Sequence, residues 1–121
     1  NFYSAMAYPG SELHRMAASG NYKTPESWDN KRPLLPEDID RGGPGWIGYS
    51  QHGYTTLNLP TAHLLPEQVL SYRDEAMVKY FSDSNYLDRI ARQFGDNTAK
   101  KFKAMNAILP KRKLLESLKV A

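Results

Sequence analysis

The chain has 121 residues, no cysteine and a formal net charge of +3. That length is at most one domain's worth and enough to bury a core. The missing cysteines exclude disulfides, zinc–thiolate centres and cysteine-held iron–sulfur clusters built by this chain alone. No apolar run approaches the roughly 18–20 residues that a spanning helix needs, so no membrane span is expected. The first residues lack the basic and apolar regions of a secretory leader, and a cytoplasmic setting is the expectation.

Phe2–Tyr8, FYSAMAY, is an almost continuous apolar run that stops at Pro9-Gly10. A short run bounded by turn residues reads as a strand buried on both faces, as in a parallel sheet. Ser11 is placed to cap a helix over SELHRMAAS, and Gly20 to stop it. Strand, turn and helix make half of a βαβ unit, yet no comparable strand follows. Tyr8, Pro9 and Gly10 would lie at the carboxyl end of such a strand, where α/β barrels carry their active sites. The unpartnered strand, with Asn rather than Met in first place, leads to the expectation that the chain is the end of a larger α/β protein.

Residues 21–65 read as a connector punctuated by Pro and Gly. TPESW and LPEDID are expected to form short turns. GWIGYSQHGYTTLNLPTAHLLP (Gly45–Pro66) is rich in aromatic and hydrogen-bonding side chains without a helical period. A loop of this length in a compact domain is functional or a linker.

From Pro66 the pattern becomes helical, opening with Pro at the first position and Glu behind it. Val69, Leu70, Ala76, Met77, Tyr80 and Phe81 form a broad stripe, with Asp74, Glu75 and Lys79 opposite. SNYLDRIARQFG offers Ser84 or Asn85 as its cap and Gly95 as its stop. DNTAKKFKAMNAIL brings Ala99, Phe102, Met105, Ile108 and Leu109 together, and Pro110 precedes a last basic segment. The core of this part is expected to hold Tyr72, Met77, Tyr80, Phe81, Tyr86, Ile90, Phe94 and Phe102. The fold class is therefore mainly α, in three parts: a strand–helix unit at 1–20, the connector and candidate lid at 21–65, and a helical subdomain at 66–121.

The chemical motifs are sparse. His52 and His63 are eleven residues apart in a loop and His14 lies elsewhere, so no metal-ligand spacing is present. Ser50-Gln51-His52 is adjacency in sequence, not the spatial relay of a triad. Gly42-Gly43-Pro44-Gly45 lacks the Lys-Ser/Thr ending of a phosphate-binding loop. No catalytic and no metal-binding residue is assigned. Residues 96–121 hold seven Lys or Arg against two acidic residues, while the rest is slightly acidic. Lys100, Lys101, Lys103, Lys111, Arg112 and Lys113 form a candidate basic surface for nucleic acid or an acidic partner. That supplies a rival reading, a free-standing helical binding module, although nucleic acid is the less favoured partner because exposed aromatics are not interleaved.

The ordered series YPGS, GYSQHGY, LPT and YRDEA (Tyr72–Ala76) resembles the C-terminal part of radical S-adenosylmethionine enzymes that carry a cobalamin-binding domain. The anaerobic magnesium-protoporphyrin IX monomethyl ester cyclase group looks closest, over about Phe2 to Met105. The resemblance implies an upstream cobalamin domain and partial barrel, whose cysteine triad holds a [4Fe–4S] cluster that binds S-adenosylmethionine. The parent would be an iron–sulfur oxidoreductase, a cyclase or a methyltransferase. This chain, lacking the cysteine motif, would house no cofactor and be inactive alone, its partner being the remainder of the parent enzyme. It would close the barrel and shape the substrate entrance, with Tyr8, Gly10, Tyr49, Gln51, His52 and Tyr54 as candidates for facing substrate.

Overall fold

The structure is a computed structural model that describes residues 1–36 and 47–119, the side chain of residue 119 excepted. The end of the LPEDID turn, the Gly42–Gly45 cluster and Trp46 lie outside the described residues. Five helices are present: α1 (Glu12–Ala18), α2 (Pro66–Phe81), α3 (Ser84–Phe94), α4 (Asp96–Asn106) and α5 (Lys113–Lys119). There is no strand among the described residues, and the fold is mainly helical. No helix among them is long and apolar enough to cross a membrane.

The chain divides into two compact units, Asn1–Phe2 with Tyr72–Pro110, and the described parts of Tyr3–Ser71 and Lys111–Ala121. These units do not follow the sequence boundaries at 20 and 65. The first turns of α2 and all of α5 belong with the connector.

In the second of these units, α1 begins and ends as its sequence dictates. The Ser11 hydroxyl accepts the His14 N–H at 3.1 Å and donates to the Tyr8 carbonyl at 2.7 Å. At the other end Gly20 takes φ +78°, a left-handed conformation that costs glycine nothing. Its N–H donates to the Ala17 carbonyl and that of Asn21 to the Met16 carbonyl, the paired bonds of a Schellman stop. Phe2–Tyr8 departs from the expected strand. Its burial alternates only over Tyr3–Met6, with Ser4 and Met6 inside and Tyr3 and Ala5 outside; Ala7 is buried as well, which breaks the strand period, and no ladder forms among the described residues. The Leu59 N–H reaches the Ala5 carbonyl at 3.0 Å, and a side chain described below serves Ser4. The core here joins Ala7, Ala17, Leu35 and Leu59, flanked by Leu13, Tyr22 and Leu34. The Tyr22 hydroxyl donates to the Pro60 carbonyl at 2.5 Å, and burial pushes that hydroxyl above its ordinary pKa.

Two further contacts hold this unit. Arg32 forks onto Glu67 through two hydrogen bonds of 3.0 and 2.8 Å, and its guanidinium lies 5.0 Å from the Trp28 ring centroid. Burial pushes the Glu67 carboxyl up, but the Arg32 hydrogen bonds, the helix's own N–H and the Arg32 charge outweigh it and hold the carboxyl below its ordinary value. Arg112, assigned above to a basic surface, is instead 1% exposed. Its Nη1 donates to the Gly53 carbonyl at 2.9 Å and to Thr56 Oγ1 at 3.1 Å, which draws the guanidinium inside.

In the other unit, α3 and α4 pack on each other around Gly95, which ends one helix and precedes the next at φ +90°. Asp83, not Ser84 or Asn85, caps α3, because its carboxylate accepts the Tyr86 N–H at 3.0 Å. Phe2, Tyr80, Phe81, Tyr86 and Phe102 form a chain of ring contacts with centroids 5.1–6.4 Å apart. The expected core is nevertheless only partly inside. Tyr72 and Phe94 are each 61% exposed and Tyr80 is 46% exposed, while Ile108 and Leu109 fall beyond α4 and are exposed.

The reason lies in α2. Its inward face runs through Leu70, Arg73, Asp74, Met77 and Phe81, the last four lying three, four, seven and eleven positions beyond Leu70. Arg73 and Asp74 occupy the middle of that face. Arg73 Nε donates to the Phe2 carbonyl at 2.9 Å and Nη1 to the Asp74 carboxylate, so the two charges enter as a bonded pair. Asp74 thus moves from the expected solvent side to the interior, and Tyr72 takes the opposite turn.

Replacing Arg112 with Met is expected to lower unfolding free energy by about 2–3 kcal/mol, since it removes the charged donors that bond the Gly53 carbonyl and Thr56 Oγ1 in a buried site. Lys100→Met on exposed α4 should stay within about 0.5 kcal/mol. Urea titration of the three proteins compares them. The Arg32–Glu67 pair carries a pH signature: a carboxyl held below its ordinary value stabilises fully above about pH 4.3 and loses that contribution as pH falls through the folded value. The stability difference between wild type and Arg32→Met should therefore be largest at pH 7 and shrink towards pH 3, as read from urea midpoints at each pH.

Candidate functional site

GYSQHGYTTL folds as a closed loop, because its two ends bond to each other. The Leu57 N–H donates to the Gly48 carbonyl at 2.9 Å. Gly48 has φ +92°, and a Cβ there would come within 2.8 Å of Pro36, so the neck admits only glycine. Inside the loop, Thr56 Oγ1 bonds the Ser50 and Gly53 carbonyls while Arg112 donates to it. One hydroxyl and one guanidinium therefore satisfy the backbone polar groups that a loop of this kind turns inward.

The loop projects Gln51 onto Ser4. Gln51 Oε1 accepts the Ser4 N–H at 3.1 Å and the Ser4 hydroxyl at 3.2 Å, and Gln51 Nε2 donates to the Ser4 carbonyl at 2.8 Å. A single carboxamide thus meets both backbone groups of one residue, as the peptide of a neighbouring strand would. Beside it Tyr49 is buried, with its ring 5.9 Å from that of Tyr8, and Gln51 Nε2 lies 3.5 Å from the Tyr8 hydroxyl.

Of the six candidates for facing substrate, the structure brings Tyr8, Tyr49 and Gln51 together and separates the others. Tyr54 turns to the far side of the loop, where its hydroxyl donates to Glu116 at 2.7 Å. That bond pushes the Tyr54 hydroxyl above its ordinary pKa. His52 is exposed on the loop, with its N–H 3.4 Å from Ser50 Oγ. Gly10 sits in the exposed turn before α1 at φ +88°. The basic residues likewise separate: Lys100, Lys101 and Lys103 are exposed on α4, Lys111 and Lys113 are exposed beside α5, and Arg112 between them is buried. Ser4 and Arg112 are the two anchors that sequence reasoning missed. Ser4 carried a signal, as the one small polar residue in FYSAMAY, whereas Arg112 stands between two lysines and nothing in the sequence marks it.

Chemically the cluster is a platform of rings and amides. Among the described residues no three His, Cys, Asp or Glu side chains are grouped to hold a metal. The chain has no thiolate with which to ligate an iron–sulfur cluster. Comparison with protein-family models, with curated proteins and with solved structures finds no match in any of the three.

Gln51→Ala should strand the Ser4 N–H and carbonyl and cost about 1–3 kcal/mol. Gln51→Glu, which retains an acceptor but loses the donor, should fall between. Backbone hydrogen exchange reads this directly: the Ser4 amide should lose protection in Gln51→Ala while α3 and α4 amides keep theirs.

Proposed function

We propose that this chain is the C-terminal, non-catalytic region of a cobalamin-dependent radical S-adenosylmethionine enzyme. The parent is an oxidoreductase, cyclase or methyltransferase similar to the anaerobic magnesium-protoporphyrin monomethyl ester cyclases. The region closes the barrel and shapes the substrate entrance. The observation that supports this is the state of Phe2–Tyr8: a segment whose burial alternates over Tyr3–Met6, that has no ladder among the described residues and is fastened to the GYSQHGY loop through Gln51. In this reading the segment is the last barrel strand, its missing neighbours lie upstream, and the loop attached to it stands near the open end of the barrel.

The iron–sulfur cluster does not fit this chain's donor set, since cysteine is absent, and the reading places that cluster, S-adenosylmethionine and cobalamin on the upstream regions. This chain contributes shape and shielding. The exposed Tyr8, backed by the buried Tyr49, and the exposed His52 offer aromatic surface and hydrogen-bonding groups, and a loop over a radical intermediate excludes water and side reactions.

Two versions of the parent enzyme test it. Removal of this region should leave cluster content, read from iron and visible absorbance, near normal while substrate turnover falls by at least about a hundredfold, on the scale of mispositioned substrate. His52→Ala in the intact parent should weaken substrate affinity or turnover several-fold with the cluster unchanged. Full turnover in both sinks the proposal, and so does loss of the cluster on removal of the region.

A further inference from the structure

Away from the loop's Ser4 face, a cavity of about 530 Å³ opens between the connector, the start of α2 and α5. This lies within the range of small-molecule sites, roughly 300–1,000 Å³. Pro36, Ile47, Leu57, Leu114 and Leu118 make the apolar part of its lining, with Thr55, Thr56 and Ser117 beside them. Leu57 is buried at the base, whereas Ile47 and Leu118 are 43% and 53% exposed. A cavity with this lining would be filled by solvent only at the expense of wetting those side chains.

Two charged groups decide what else can enter. The Glu67 carboxylate lines the wall with its side chain 5% exposed, but both of its oxygens are taken by the Arg32 fork, so the pair presents little net charge. Lys113, also lining the cavity, is exposed and its ammonium has no ion pair among the described residues. The site therefore combines an apolar hollow with a cation that has no ion pair among the described residues. We propose that this cavity binds an apolar carboxylate, its hydrocarbon body against Ile47, Leu57, Leu114 and Leu118 and its carboxylate on Lys113. The proposal is separate from the reading of the parent enzyme, because it uses none of Tyr8, Tyr49, Gln51 or His52.

The test uses the 121-residue chain with octanoate, decanoate and dodecanoate, and with the matching alcohols, followed by calorimetry and backbone amide chemical shifts. Affinity should rise about ten- to fifteen-fold with each two added carbons, as methylene burial dictates. The shifts should centre on Ile47, Leu57, Leu114 and Leu118. Lys113→Gln should weaken the carboxylates about three- to five-fold, the scale of one exposed ion pair, and leave the alcohols unchanged. Leu118→Glu, a substitution at the exposed mouth, should abolish carboxylate binding while the circular dichroism stays that of wild type. Absence of binding overturns the proposal. So does an equal loss for acids and alcohols in Lys113→Gln, or shifts centred elsewhere. Concentration-dependent sedimentation that buries the same leucines would assign the cavity to a second copy and overturn it as well.

Discussion

A peptide that has no neighbouring strand must still satisfy its N–H and carbonyl once it is taken out of water, and Ser4 meets that constraint through the carboxamide of Gln51. The remaining features of this part of the fold follow from it. Holding a carboxamide against a backbone segment requires the loop that carries it to be stiff. Stiffness is supplied by the Gly48–Leu57 closure, by Thr56 bonding across the turn, and by Arg112 entering from the residue before α5. An amide side chain is suited to the role because it offers one donor and one acceptor in the spacing of a peptide, which neither a carboxylate nor an ammonium can do.

Arginine recurs at the points where backbone or charge must be buried. Arg112 serves two loop oxygens, Arg73 serves the Phe2 carbonyl together with Asp74, and Arg32 meets Glu67 while lying over Trp28. The planar guanidinium carries several donors in fixed directions, so one side chain meets several acceptors with little further loss of freedom. Lysines, by contrast, remain outside: Lys100, Lys101, Lys103, Lys111 and Lys113 are all exposed. The basic character of the C-terminal quarter is thus divided between a structural cation and solvated ones.

The platform of Tyr8, Tyr49 and Gln51 has bearing on how the loop would serve a larger enzyme. Gln51 is committed to Ser4 and Tyr49 is buried, so the exposed groups beside them are the Tyr8 ring and His52. The helical unit leaves several large apolar side chains exposed, Tyr72, Phe94, Met105 and Ile108 among them.

Local signals in the sequence were enough for those features that depend on neighbours in the chain. Ser11 and Gly20 bracket α1 because cap and stop are contacts over three to five residues, and the Pro66 start and the break at Gly95 are equally local. The mainly helical class follows from the same short-range periodicities. What tertiary structure alone decided were the contacts across long stretches of chain: Gln51 with Ser4, Arg112 with Gly53, Arg32 with Glu67, and Arg73 with Phe2. Hydrophobic patterning reads charged and polar side chains as solvent-facing, so it put Asp74 and Arg112 outside and Tyr72 and Phe94 inside. The interior admits Asp74 and Arg112 because each arrives with its bonding partners, and periodicity carries no information about partners that lie up to seventy residues away.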